Sequence, residues 1–236
     1  MTRLDSLIRA WGYASRRELR ELVAQGRVSV DGVPVIDPAM RCEESSVIKI
    51  DGTVLEKRES MTLMMNKPAG YVCTADEGPY PTVFSLLKSE DKERALFAVG
   101  RLDADTEGLL LLTNDGELCD RIIRPESNIN KVYEVKFDRP LIADATERLA
   151  EGITLPEGVK CRPAQLEHLG ERCARITVCE GKYHEVKRLV RACGAQVAAL
   201  KRIKIGGLEL DGNLKVGEYR QLSKEDISLL YAEKMI

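Results

Sequence analysis

The sequence predicts an α+β protein with a mainly antiparallel sheet, preceded by a small N-terminal unit. Two observations carry this. Apolar runs of strand length outnumber helical patterns and rarely alternate strictly with them, unlike a parallel βαβ fold. A charged stretch without apolar residues, Lys57-Arg58-Glu59-Ser60, then separates residues 1–59 from residues 60–236.

Within the first unit, Leu4, Leu7, Ile8 and Trp11 recur at helical spacing, and Gly12 stops the helix. Ser15 and Glu18 form a capping box for a second helix, whose apolar face holds Leu19, Leu22 and Val23. Gly26 ends it. Residues 28–35 read as a hairpin turning on Asp31-Gly32, and residues 47–50 as a further strand. Arg16, Arg17 and Arg20 open the second helix, with Arg27 just beyond its end.

In the second unit a strand over 62–65 leads into Asn66-Lys67-Pro68-Ala69-Gly70-Tyr71, a turn built on Pro and Gly. A short helix over 117–123 is ended by Pro125. Strand 131–137 and helix 142–150 follow, then strands at about 162–168 and 173–179. A helix over 184–193 ends at Gly194, strand 197–205 runs into Gly206-Gly207, and strand 217–222 precedes a C-terminal helix capped by Ser223 and Asp226.

Residues 100–116, Gly-Arg-Leu-Asp-Ala-Asp-Thr-Glu-Gly-Leu-Leu-Leu-Leu-Thr-Asn-Asp-Gly, organise the rest. The apolar run 109–113 reads as a strand buried on both faces, although periodicity alone does not separate it from a buried helical segment. Just before it, Asp103, Asp105 and Glu107 crowd three carboxylates together, where they repel one another and resist desolvation. A solvated acidic loop is one reading. A calcium loop is another, because D-x-D-x-E-G matches the start of an EF-hand, but the match fails where Leu109 to Leu112 would have to hold a hard cation and Asn114 replaces the bidentate Glu. A catalytic carboxylate presented by a rigid strand is the third.

Composition narrows the class. At 236 residues, with 44% hydrophobic and 31% charged residues, the chain resembles an ordinary globular protein. No apolar run approaches membrane-spanning length, and Arg3, Asp5 and Arg9 interrupt any signal-peptide core. Seven cysteines without a C-x-x-C pair fit neither zinc nor a disulfide framework and point to reduced thiols in the cytoplasm. The net charge is −2, yet residues 1–27 hold six Arg against Asp5, Glu18 and Glu21, or +3, and residues 181–204 hold four Lys and three Arg against Glu185, or +6. Two basic segments in an acidic chain suggest a localised phosphate-binding surface. Neither a Rossmann fingerprint nor a P-loop is present.

The motif Gly100-Arg101-Leu102-Asp103-x-Asp105-Thr106-x-Gly108 resembles the signature of the ribosomal RNA pseudouridine synthases that carry an N-terminal S4 domain. Asn66-Lys67-Pro68-x-Gly70-Tyr71 and Tyr183-His184-Glu185-Val186-Lys187-Arg188 match further motifs of that family, and the order Ala14-Ser15-Arg16-Arg17 … Gln25-Gly26-Arg27-Val28-Ser29-Val30-Asp31-Gly32 resembles the S4 domain. The fold implied is a small S4 domain over 1–59 followed by a mainly antiparallel, two-halved synthase sheet with a central cleft over 60–236. The reaction implied is isomerisation of a ribosomal uridine to pseudouridine, without metal or cofactor, by a carboxylate near C1′ and C6 in a pocket that excludes water.

By the same resemblance Asp103 is the catalytic carboxylate, Tyr133 packs on the flipped base, and Lys187 pairs with Asp103. Asp105 and Glu107 shape the loop. Arg16, Arg17, Arg20, Arg27, Arg101, Lys182 and Arg188 are the candidate RNA contacts. The Tyr-His-x-Val-Lys-Arg wording is closer to small-subunit (16S) enzymes than to large-subunit ones, although Glu185 replaces the usual Gln and Leu189 the usual Met. The expected partner is small-subunit ribosomal RNA, free or partly assembled, for a cytoplasmic monomer without membrane contact. The competing readings are a 23S enzyme of the same branch and a noncatalytic S4-type RNA-binding protein. A glycosidase fits poorly, since a retaining one holds its carboxyls about 5 Å apart on opposite faces of the sugar, and Asp103 and Asp105 share one short loop.

Overall fold

The computed structural model describes residues 1–75 and 78–232, which form two compact units. The first comprises residues 1–62, 87–97 and 112–119, and the second holds the rest.

In the first unit β1 (Thr2–Arg3) leads into α1 (Leu4–Ala10) and α2 (Arg16–Ala24), followed by β2 (Val28–Val30), β3 (Val33–Pro34), β4 (Arg41–Cys42), β5 (Ile48–Ile50) and β6 (Thr53–Val54). The first helix stops where expected: Gly12 takes φ +73°, and a Cβ there would lie 2.9 Å from the Arg94 carbonyl oxygen. The Ser15–Glu18 capping box forms, with Ser15 Oγ accepting from the Glu18 N–H at 3.2 Å and Glu18 Oε2 accepting from the Ser15 N–H at 2.7 Å. Leu4, Ile8, Trp11 and Leu19 bury their side chains with Val28 and Ile48. The Asp31-Gly32 turn has φ positive at both residues, as a two-residue hairpin requires. A second hairpin of the same kind, not among the expected elements, turns on Asp51-Gly52 and adds β6, completing a four-stranded sheet in the order β3-β2-β5-β6.

The charged stretch 57–60 has neither helix nor strand. It is nevertheless held: Lys57 pairs with Glu44 at 2.6 Å, Arg58 lies over the Tyr13 ring at 4.3 Å, and the Glu59 carbonyl accepts from Arg94 at 2.6 Å.

The large sheet is built from β7 (Thr62–Lys67), β8 (Phe97–Val99), β9 (Glu107–Thr113), β10 (Lys131–Phe137), β11 (Gln165–Gly170), β12 (Cys173–Val178), β13 (Val197–Ile205), β14 (Leu208–Glu209) and β15 (Tyr219–Gln221). Its order is β11-β12-β10-β13-β9-β7-β15, with β14 on β13 and β8 on β9. Antiparallel ladders join β11, β12, β10 and β13, and β7 pairs antiparallel with β15. The two halves meet at a short parallel junction, where Lys201 and Arg202 of β13 face Glu107 and Gly108 of β9. Gly108 has φ +99°, and a Cβ there would collide with the Arg202 carbonyl oxygen. Only glycine lets the backbones approach so closely.

Leu109, Leu110, Leu111 and Leu112 are each 0% exposed, so the run is a strand covered on both faces. The helices are α3 (Ser89–Lys92), α4 (Gly116–Ile123), α5 (Ala145–Glu151), α6 (Glu185–Ala192) and α7 (Lys224–Leu229). The α5 helix and β11 start about three residues later than their apolar patterns suggested: the Ile142 N–H donates to the Cys193 carbonyl, outside the helix, and Cys161 and Ala164 donate back to the carbonyls of Ile153 and Leu149 ahead of β11. Val186, Leu189 and Val190 of α6 pack into a core with Val135, Ile176 and Leu200, leaving Lys187 and Arg188 on the helix's outer side. Among the described residues no helix is long and apolar enough to cross a membrane.

Candidate active site

The loop before β9 is held by its backbone oxygens. Arg202 Nη2 donates to the Gly100 carbonyl at 2.6 Å, Cys73 Sγ to that of Leu102 at 3.3 Å, and the Gly70 N–H to that of Ala104 at 2.7 Å. Lys67 Nζ donates to Pro68, Ala104 and Thr106 at 2.9, 3.2 and 2.8 Å. Alternate carbonyls from 100 to 106 are thus each captured by a donor from another strand or turn, and Arg202 Nε reaches Leu109 beyond them at 2.8 Å. Lys67 is 0% exposed, and burial holds its pKa below the usual lysine value against the opposing pull of Cys73, Asp105, Asp103 and Glu107. Its three donors meet three acceptors, which is what makes a buried ammonium tolerable.

This fixed loop carries Asp103. Its Oδ2 lies 2.9 Å from Lys187 Nζ and its Oδ1 3.3 Å from His184 Nε2. Lys187 also reaches Asp105 Oδ1 at 2.6 Å. The two acids differ in setting: the Asp103 side chain is 29% exposed and that of Asp105 is 73% exposed. Burial alone would lower the pKa of Lys187, but Asp105 and Asp103 outweigh it and hold the ammonium above its usual value. Burial would likewise raise Asp105, and the bond to Lys187 outweighs it, holding that carboxyl below its usual range. His184 enters the site because it precedes α6 in a left-handed conformation, φ +49°, and stacks on the exposed Tyr183 ring at 3.8 Å.

Tyr133 stands on β10 opposite Arg202 of β13. Its hydroxyl accepts from Arg202 Nη1 at 3.4 Å, and the guanidinium lies 5.9 Å from the ring centroid. Arg202 is itself 1% exposed, so it belongs to the framework of the site and not to a phosphate-binding surface.

Residues 61–192 match the family described as RNA pseudouridylate synthase, and residues 2–48 match the S4 domain. The chain belongs to the RNA pseudouridylate synthase family. It is 39% identical to ribosomal small subunit pseudouridine synthase A of Escherichia coli over 228 residues, covering 96% of this chain and 98% of that one. It is 38% identical to the RNA pseudouridine synthase YtzG of Bacillus subtilis over 233 residues, covering 97% and 98%. A pseudouridylate synthase of known crystal structure superposes with a TM-score of 0.72 at 34% identity, covering 98% of this chain and all of the other. The protein is therefore an isomerase acting on RNA, with an S4 domain at its N-terminus.

The synthase's candidate RNA contacts sit in varied surroundings. Arg16, Arg17, Arg20 and Arg27 are exposed on or just after α2, each with a local partner. Arg16 lies 3.7 Å from Asp5, Arg17 is 3.3 Å from Glu21, Arg20 donates to the Arg16 carbonyl at 3.2 Å, and Arg27 forks onto Asp51 at 2.6 and 2.5 Å. Arg101 is exposed beside the Asp103 loop. Lys182 is bonded to the buried Glu180, and Arg188 to Glu157 and the Tyr183 carbonyl. Lys67, His184 and Arg202 are the site residues that sequence reasoning did not single out. Lys67 and His184 lie in the Asn-Lys-Pro and Tyr-His-Glu-Val-Lys-Arg motifs, and Arg202 lies in no motif.

Proposed function

We propose that the synthase converts a uridine of small-subunit (16S) ribosomal RNA to pseudouridine, with Asp103 as the catalytic carboxylate. The observation that carries the role of Asp103 is its 2.9 Å contact with Lys187 Nζ through Oδ2, on a loop whose Ala104 and Thr106 carbonyls accept from the buried Lys67. A fixed ammonium keeps the carboxylate oriented, and its partial exposure leaves it reachable by a base turned out of its stack. There Asp103 serves as nucleophile, or as base for glycal formation, when the C1′–N1 bond breaks. The base rotates, C1′ joins C5, the C5 proton leaves and the freed N1 takes up a proton, so the change is a redox-neutral isomerisation and calls for no cofactor. Tyr133, oriented by Arg202, offers a phenol face for stacking on the base.

Residues 1–59 would supply affinity for structured RNA through Arg16, Arg17, Arg20 and Arg27, and residues 60–236 the chemistry. Lys182 and Arg188 would have to exchange their present carboxylate partners for phosphate, whereas Arg101 would not. The preference for 16S over 23S RNA is supported by the similarity to small-subunit enzymes over nearly the whole chain. A cytoplasmic monomer acting on free or partly assembled RNA completes the reading. Mapping pseudouridines in ribosomal RNA from cells with and without the gene tests it: loss of one site in 16S RNA supports the assignment, and loss only in 23S RNA overturns it.

A further inference from the structure

Behind the turn that carries His184 lies a second acidic group, which the proposed chemistry does not use. Oxygens of Glu180 and Glu185 and the Cys161 sulfur all lie within 4.8 Å of one another. Both glutamates are only 6% exposed. Two ionised carboxylates so close and so dry repel strongly, so one of them keeps its proton.

The surroundings decide which. Glu180 Oε1 accepts from the Arg162 N–H at 2.8 Å, and Oε2 accepts from the Lys182 ammonium. Against burial, the hydrogen bonds from Glu185, Lys182 and Arg162 keep the Glu180 carboxyl below its usual range. For Glu185 burial first, and then its bond to Glu180 and the charge there, outweigh the Lys182 backbone N–H and the Lys182 charge, and push it up to about 8. The other ionisable groups around it are Lys182 on the turn, Cys161 and Arg188 at the rim of the cluster, and Lys131 on β10, whose own pKa burial lowers to about 8. Lys182 already supplies the positive charge that the trio accepts, so the cluster is better read as a proton-sharing pair than as a cation site.

We propose, resting on the assignment of Asp103 above, that Glu185 is a positioning residue whose neutral carboxyl donates to Glu180 and fastens the turn that presents His184 and Lys187 to Asp103. Glu185 opens α6, its N–H closes the turn on the Lys182 carbonyl at 3.1 Å, and Lys187 follows two residues later. The left-handed backbone of His184 is a conformation that its surroundings must enforce. Ionisation of Glu185 replaces a hydrogen bond by repulsion at the foot of this turn. His184 and Lys187 then lose their register with Asp103.

The test compares the wild type, Glu185→Gln and Glu185→Ala as full-length proteins, using tritium release from a small-subunit ribosomal RNA transcript between pH 6 and 9.5. Glutamine is a neutral donor of the same shape. Wild-type kcat should fall at least about tenfold as pH rises through the titration of Glu185. Glu185→Gln should stay within about threefold of wild type at pH 7 and lack that fall, while Glu185→Ala loses about tenfold in kcat at pH 7 with KM for RNA nearly unchanged. An alkaline fall shared equally by wild type and Glu185→Gln overturns the proposal, as does a Gln variant as slow as the Ala variant. Amide exchange of residues 181–189, corrected for intrinsic rates, reads the turn without chemistry. Protection should be lost in wild type above about pH 8 and kept in Glu185→Gln. Equal protection in all three proteins overturns the positioning role, and measuring Asp103→Asn alongside separates that failure from a wrong catalytic residue.

Discussion

The ammonium of Lys67 donates to the carbonyl of Ala104, one residue past Asp103, at 3.2 Å from a fully buried position. With its bonds to Pro68 and Thr106, it ties the end of β7 to the loop that opens β9. Lys67→Met keeps the apolar stem but removes a donor from the Pro68, Ala104 and Thr106 carbonyls, of which Ala104 retains the Gly70 N–H. We expect a loss of about 2–4 kcal/mol in stability, since an unsatisfied buried group costs about 1–3 kcal/mol and relaxation recovers part of the total. Turnover should drop by at least about tenfold through misplacement of Asp103. Urea unfolding and tritium release check both, and a variant of unchanged stability and rate would show that the loop holds its shape without this lysine.

Asp103→Asn is nearly isosteric and removes only charge and basicity. Pseudouridine formation should fall at least about a thousandfold, with fold and RNA affinity close to wild type. Activity within about tenfold of wild type would sink the assignment of Asp103 as the reacting carboxylate.

The pairing of Asp103 with Lys187 could be read from the sequence because both residues lie in motifs with a family likeness, and the structure brings them to 2.9 Å. The helices and hairpins of residues 1–50 were legible for local reasons: a capping box, an Asp-Gly turn and glycine stops are set by neighbours in sequence. The parts that were not legible depend on distant partners. Lys67 before Pro68-Ala69-Gly70 reads as a surface turn, and only its acceptors 37 and 39 residues away reveal it as buried. Charge counting treated Arg202 as part of a basic surface, yet it lies beneath the site against Gly100, Leu109 and Tyr133. The place of His184 depends on one positive φ, which no periodicity records.

Lys187→Ala should cost more than Tyr133→Phe. The first leaves Asp103 and Asp105 facing each other without the shared ammonium, and a loss of about 100-fold in kcat is expected. The second keeps the aromatic face and loses only the hydroxyl, so RNA affinity should hold while kcat falls by about tenfold. Single-turnover rates with separately measured affinities distinguish the two, and a Tyr133→Phe variant that loses binding instead would reverse the role given to the ring.

Stability against pH carries a separate signature of Glu185. Its folded-state pKa, about 8, lies above the ordinary value of 4.5. Its contribution is therefore fully present below the ordinary value, and it is lost as pH rises through the folded one. The Asp105 pair has the opposite sign: its folded pKa is depressed, so its contribution is present above the ordinary carboxylate value and lost as pH falls through the folded one. Chemical denaturation between pH 5 and 9 should show wild-type stability declining toward alkaline pH and Glu185→Gln nearly flat. Parallel curves would mean that Glu185 is not the group that titrates.

The salt dependence of RNA binding tests the arginines of the first unit. Deleting residues 1–59 is a poor test, because residues 87–97 and 112–119 belong to the same compact unit and would lose their core. Arg16, Arg17, Arg20 and Arg27 are exposed, so replacing all four by Ala should leave that core intact. Each phosphate contact contributes a slope of about −0.7 to −0.9 in log affinity against log salt, as calibrated on single strands and duplex DNA. Asp5, Glu21 and Asp51 compete with phosphate for three of the four, so not every arginine need deliver its full contribution. The quadruple variant should flatten the slope by about two to four units and weaken binding most at low salt. Turnover at saturating RNA should stay within about threefold, because none of the four lies in the Asp103 site. An unchanged slope with intact fold would show that these arginines only decorate the surface and that affinity resides elsewhere in the chain.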